Sequence, residues 1–194
     1  MENDRVSAKK DINRPATRGW KTLDLAYIAI GAALITICSW ISIPMSVPFT
    51  LQTFAVFSVL LLLGGKRGTL SVVTYILLGA IGAPVFSGFN SGVGVLLGTT
   101  GGYILGFLLM GLLFLLFEKL LRRKLWVEIL ALVLGLLVCY AFGTGWFMYI
   151  YTKKTGPVGL FSVLSWCVFP FILPDLVKMA LAFLLAKRVK PIIK

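Results

Sequence analysis

Six apolar stretches, nearly free of charge and joined by short connections, set the terms on which this chain folds. The first covers 22–41 (TLDLAYIAIGAALITICSWI) and the second and third cover 50–64 and 68–81. The fourth runs over 99–119, the fifth over 125–151 and the sixth over 160–186. At about 1.5 Å of rise per residue, the long ones cross a hydrocarbon core of about 30 Å as helices. Charged residues are only 13% of the 194, about half the share usual in a soluble domain. So much apolar surface has too little polar cover for water, and the chain reads as an all-α integral membrane protein built as one compact domain. The second and third stretches are marginal as independent spans. They form either short helices buried against their neighbours or a re-entrant pair.

Basic residues arbitrate the count. Six precede the first stretch, Lys66 and Arg67 separate the second from the third, and Lys119, Arg122, Arg123 and Lys124 follow the fourth. Four more follow the sixth, from Lys187 to Lys194. Six spans place 16 of the 19 Lys and Arg on one side, the cytoplasmic one by the positive-inside tendency. The reading is six transmembrane helices with both termini in the cytoplasm. Residues 1–21 form a polar, flexible cytoplasmic tail without a secretory signal. Residues 22–187 form the membrane domain, and 188–194 a basic cytoplasmic tail. The net charge of +12 follows from this topology, and nucleic acid is not an expected partner, because the basic residues flank helices and are not interleaved with aromatics on one face.

Three connections then face outward: 42–50 (SIPMSVPFT), 82–98 and 152–159. The first two are uncharged and rich in Gly, Pro, Ser and Thr, too apolar for free surface loops. Irregular backbone at membrane depth persists only when buried in protein or lining a cavity, so both are expected to fold inward over a pocket open to the outside.

Asp175 and Lys178 are the intramembrane charges. Each costs roughly 2.5–3.5 kcal/mol at a helix centre on insertion scales, and their i, i+3 spacing puts them on one helix face. They make either a structural ion pair or the polar end of a ligand pocket. Asn90, central in FSGFNSGVG, is the only asparagine after the N-terminal tail. It serves either as a turn residue between glycines or as a donor and acceptor for a neutral polar ligand. Gln52, the only glutamine, is a helix-start residue or a further ligand contact. Aromatics gather toward the outer half. Most suit an interfacial belt, while Phe86, Phe89, Tyr149 and Trp166, with Ser87 beside them, are candidates to wall a pocket. Ala29 and Ala33 are four apart, as are Gly98, Gly102 and Gly106, a spacing that lets helix backbones approach closely.

Other chemistries find no footing. Histidine is absent, which removes the commonest acid–base group and metal ligand. Cys38, Cys139 and Cys167 are isolated in apolar stretches and read as small buried hydrophobes. LLLGGKRGT has a Gly-Gly-Lys outside the phosphate-loop frame, so nucleotide hydrolysis is not expected of this chain. Nor do the spans carry a nucleophile motif, an acidic pair or a repeat of the kind many secondary carriers show. An enzyme is disfavoured, no cofactor is expected, and the chain reads as a small ligand-binding module without its own motor.

The run from 47 to 107 closely resembles the BioY family, the biotin-specific substrate-binding components of energy-coupling factor (ECF) transporters. The matching stretches are VPFTLQ (47–52), GGKRGTLSVVTYILLGAIGAPVF (64–86), GTTGGYILGF (98–107) and PDLVK (174–178). The resemblance implies six membrane helices with a biotin pocket near the outer face closed by loops. It also implies a transmembrane coupling subunit and two cytoplasmic ATPases as partners, and residence in the plasma membrane. The family's alanine-x-x-x-alanine contact with the coupling subunit falls on Ala29 and Ala33. Biotin would meet Asp175 and Asn90 through its ureido ring and Lys178 through its carboxylate, unless Lys178 only steadies Asp175. A stand-alone or oligomeric carrier, or a component for another vitamin, is the alternative.

Overall fold

The computed structural model describes residues 21–45, 47–121 and 124–193. The expected N-terminal tail before Lys21, and the basic residues Arg122, Arg123 and Lys194, lie outside them. Helix α1 spans Thr22–Trp40. Two short strands, β1 (Ser42–Ile43) and β2 (Phe49–Thr50), pair antiparallel, Ser42 opposite Thr50 and Ile43 opposite Phe49. Then come α2 (Gln52–Ala80), a single 3-10 turn (Ser87–Phe89), the one-turn α3 (Val93–Leu96) and α4 (Gly101–Leu121). The chain closes with α5 (Leu125–Thr155), α6 (Leu160–Cys167) and α7 (Phe169–Ile193).

The described residues hold five helical stretches long and apolar enough to cross a membrane, α6 and α7 counting together. Their outward faces carry Ile30, Leu77, Leu120, Leu173 and Leu184, each more than half exposed. Such a surface would be costly in water, and lipid is the solvent that makes it neutral.

The 29-residue α2 hides a reversal. Gly64 sits inside α2 at φ 82°, ψ 172°, a left-handed conformation that a residue with a Cβ resists. In a continuous helix residues 60 and 68 would be about 12 Å apart. Here a Cβ on Gly68 would fall 3.0 Å from the Cα of Leu60, so the chain doubles back. The halves, 52–63 and 65–80, lie side by side with Gln52 hydrogen-bonded to Tyr75. The second half then packs along α4, where a Cβ on Gly65 would strike Leu115 at 2.6 Å. Close approach also joins α4 to α5: side chains at Gly102 and Gly106 would collide with Trp146 and Cys139 at 2.3 and 2.7 Å. The glycines of this stretch thus serve helix packing.

Two boundaries differ from the hydropathy reading. The fifth apolar run, expected to end at 151, continues as helix to Thr155, because charged residues end an apolar run without ending helical hydrogen bonding. The sixth breaks at Val168 (φ −125°) and then runs on to Ile193. Pro170 has no N–H to continue the ladder across that point. At the far end Lys190 grips Glu128 of α5 at 2.9 Å.

Candidate ligand-binding site

The polar centre of the fold forms where the start of α2, the middle of α5 and the second turn of α7 converge. Pro174, inside α7, lacks an N–H, and the next residue, Asp175, points into the bundle. Asp175 and Lys178 are 2% and 5% exposed. Lys178 Nζ donates to Asp175 Oδ1 at 2.9 Å, to the Thr50 carbonyl at 2.7 Å and to Thr53 Oγ1 at 3.1 Å. The Thr53 hydroxyl in turn donates to Asp175 Oδ1 at 2.8 Å, and the Tyr140 hydroxyl donates to Oδ2 at 2.6 Å. The ammonium lies 4.2 Å from the centre of the Phe49 ring, which adds cation–π attraction in a desolvated setting.

An ammonium has three protons, and here each has an acceptor. Both carboxylate oxygens are engaged as well. A buried pair survives desolvation only with good geometry and further hydrogen bonds, and this one has both. The arrangement is a closed polar cage whose groups are the hydrogen-bonding types that recognise a small polar molecule. Beside it lies a cavity of about 50 Å³, roofed by Val47 and Pro48 and walled by Tyr103, Cys139 and Phe171. That is space for a few waters, well below the roughly 300–1,000 Å³ typical of small-ligand pockets. Across the Tyr140 ring a separate apolar groove of about 470 Å³ runs between α5, α6 and α7.

The cage gathers Asp175 and Lys178 from among the residues singled out by sequence. Gln52 is buried, but its amide turns the other way and donates to the Tyr75 hydroxyl at 3.0 Å. Phe86 is 1% exposed and drops into a notch over Gly79, with its ring edge-on to Tyr75 at 5.5 Å. Ser87 is half-buried. Phe89 is exposed and stacks on Trp40 at 4.9 Å. Asn90 is exposed, and its amide donates to the Ser87 carbonyl at 2.8 Å. Tyr149 is exposed with the Lys153 ammonium 4.2 Å over its ring, and Trp166 leans on Tyr151 at 6.1 Å. Ala29 and Ala33 both face outward on α1, while Ala32 and Gly31 between them are buried.

Sequence reading missed Thr50, Thr53 and Tyr140. A signal for Tyr140 existed: with Thr144 it forms an i, i+4 polar pair inside an otherwise apolar run, the spacing of one helix face. Thr53 carried no such mark, and the Thr50 carbonyl is backbone, which no side-chain pattern reports.

Comparison with known proteins gives a consistent set. A family model described as the BioY family matches residues 9–194. The chain is 42% identical over 163 residues to the biotin transporter BioY of Thermotoga maritima, covering 83% of this chain and 92% of that protein. It is 38% identical over 171 residues to the probable biotin transporter BioY of Pyrococcus horikoshii, covering 88% and 98%. A crystal structure of the S-component for biotin from an ECF-type ABC transporter superposes with a TM-score of 0.75 at 27% identity, covering 98% of this chain and 94% of that one.

Proposed function

The chain belongs to the BioY family, and from that premise we propose that it captures biotin at the outer face of the plasma membrane as the substrate-binding component of an ECF transporter. It is a transport subunit and not an enzyme. The observation that carries the reading is the saturated cage around Asp175 and Lys178, a costly construction at membrane depth placed under the roof of the 42–50 loop.

Biotin's ureido N–H groups need an acceptor, its ureido carbonyl a donor, and its carboxylate a cation or several N–H groups. Asp175 and Lys178 supply these types, with Tyr140 and Thr53 positioning Asp175. In the closed cage the Thr50 carbonyl occupies one Lys178 proton, the place a ligand oxygen would take. Lifting the 42–50 loop would free that proton and enlarge the cavity in one movement, so that binding exchanges an internal acceptor for an external one. Asn90 and Phe89, with Phe86 and Ser87 at their base, would then fold over the bound ring system. Gln52, Tyr149 and Trp166 complete the site we assign.

In this reading the two halves of α2 are separate spans, making six in all, with both termini in the cytoplasm. Residues 22–187 form the membrane domain, preceded by a cytoplasmic tail (1–21) and followed by the basic cytoplasmic segment 188–194, whose residues up to Ile193 continue the last helix where a separate tail was expected. Ala29 and Ala33, outward-facing on α1, would meet a transmembrane coupling subunit. Two ATPases bound to that subunit would supply the energy for reorientation. Titration calorimetry of the purified protein with biotin and dethiobiotin, without ATP, tests the core of this. Saturable biotin heat is expected, and no heat with either compound would remove it.

A further inference from the structure

Tyr140 has a second side. Its hydroxyl serves the cage, while its ring, with Leu136, lines both the cage cavity and the open groove of about 470 Å³ between α5, α6 and α7. One layer of side chains therefore separates the two spaces. The groove is apolar. The two hydroxyls in its lining are engaged elsewhere, that of Tyr140 with Asp175 and that of Thr144 with Tyr103 at 3.1 Å. A space of this kind does not hold water. Its floor on α5 is Ala141 and Gly145, one turn apart and both exposed, and a Cβ on Gly145 would meet nothing within 4 Å. Leu164, Val168, Ile172 and Leu176 form the facing wall.

The length and the mouth of the groove point to its occupant. On α5 the lining runs from Val133 to Met148, about 22 Å of helix. That covers the depth of one leaflet, half of a hydrocarbon core of about 30 Å. The row of Ala141 and Gly145 continues at the same four-residue spacing to Tyr149 and Lys153. Lys153 and Lys154 are exposed just beyond the apolar run, where a span leaves the hydrocarbon. The Lys153 ammonium donates to the Tyr149 hydroxyl, and an ammonium has three protons.

We propose that the groove is a phospholipid site. One acyl chain lies over Ala141 and Gly145 against the back of the Tyr140 ring, and the phosphate sits at Lys153 and Lys154. A phospholipid joins a long apolar tail to an anion, as the groove joins an apolar floor to two ammonium groups, and the surrounding bilayer supplies it. Lipid then backs the cage from the side of Tyr140 opposite Asp175. The site requires only that the chain be embedded in a bilayer and does not depend on the ligand of the cage. A second copy of this chain is the competing occupant. A two-fold interface uses the same patch on both copies, so it would set lysines against lysines at the mouth, which favours lipid.

The test uses the full chain in a neutral detergent, titrated with dioleoyl phosphatidylcholine or with the diacylglycerol of the same chains. The thermal midpoint at each concentration gives the apparent affinity. Loss of an ammonium–phosphate contact predicts about tenfold weaker binding of the diacylglycerol. Lys153→Gln/Lys154→Gln should bring phosphatidylcholine down to the diacylglycerol level. Gly145→Phe, which puts a ring into the groove, should abolish the response to both. Ala141→Phe fills the same space from the preceding turn, and whichever variant keeps the lipid-free midpoint of the parent separates a lost site from a lost fold. Equal affinity for the two lipids, a preference that survives the lysine substitutions, or an unchanged response with the groove filled overturns the proposal. Inorganic phosphate that shifts the midpoint as far as phosphatidylcholine does would overturn the acyl-chain assignment. A doubled particle mass that Gly145→Phe returns to the single chain would give the groove to a second copy and overturn the lipid.

Discussion

The cage around Asp175 and the loop around Asn90 make opposite use of hydrogen bonds. In the cage every polar group is engaged by a side chain or carbonyl from another element, over sequence distances as large as 128 residues. In the loop, Asn90 bonds only locally among the described residues, its amide to the Ser87 carbonyl and its carbonyl to the Phe86 N–H at 3.1 Å, and the segment is held at its flanks. Trp40 donates to the Pro84 carbonyl at 2.9 Å, Ser39 to that of Val85, and Gly92 to that of Gly79 at 2.7 Å. Positive φ at Gly82 and Gly92 (105° and 89°) turns the chain at either end. On the proposed reading, this difference would separate a site organised before the ligand arrives from a cover that gains its contacts on binding. Pre-organised polar groups lower the ordering cost of recognition, and a mobile cover supplies entry.

The largest expected effect tests the cage. Asp175→Asn leaves the Lys178 charge buried with a weakened partner, and breaking such a pair costs about 3–5 kcal/mol. Biotin affinity should fall by up to roughly 150- to 4,000-fold by calorimetry. The thermal midpoint, read with a thiol-reactive dye on the buried Cys38, Cys139 and Cys167, should fall as well. The apolar double variant Asp175→Leu/Lys178→Met sharpens this. Removing both charges together should recover most of the midpoint yet leave biotin unbound. Retained binding in that variant would reduce the pair to a structural one.

Tyr140→Phe comes next. It deletes one donor to a charged acceptor, worth about 1.5–3 kcal/mol, so a roughly 10- to 100-fold affinity loss is expected. An unchanged affinity would mean that the Asp175 orientation owes nothing to α5. The smallest effect belongs to the loop. Asn90→Ala should leave the stability of the free protein within about 0.5 kcal/mol of the parent, because its side chain is exposed. Biotin affinity should still drop about tenfold, the loss of roughly one hydrogen bond. A large midpoint change, or no affinity change, would collapse the distinction between cage and cover.

Much of this was legible before any coordinates. The apolar runs and their low charge identified lipid as the solvent, and GGKRG marked the place where α2 reverses. The i, i+3 spacing of Asp175 and Lys178 put the pair on one face. What stayed hidden was how Gln52 and its neighbour Thr53 divide. One faces Tyr75 and the other the ion pair, although both are single polar residues at a helix start. The aromatic candidates were equally ambiguous, because a ring that walls a pocket and a ring that sits at the membrane interface share the same local sequence.

Sequence alone determined the solvent, the order of the spans and the residues too costly to bury without a reason, because hydropathy and charge are local sums along the chain. Only the tertiary structure decided that the halves of α2 lie side by side, that Thr53 and Tyr140 close around Asp175, and that the Thr50 carbonyl takes the third Lys178 proton. Those outcomes depend on how each helix is rotated and slid against its neighbours. Close packing at a few glycines fixes that register, and residues on different helices cannot express it separately.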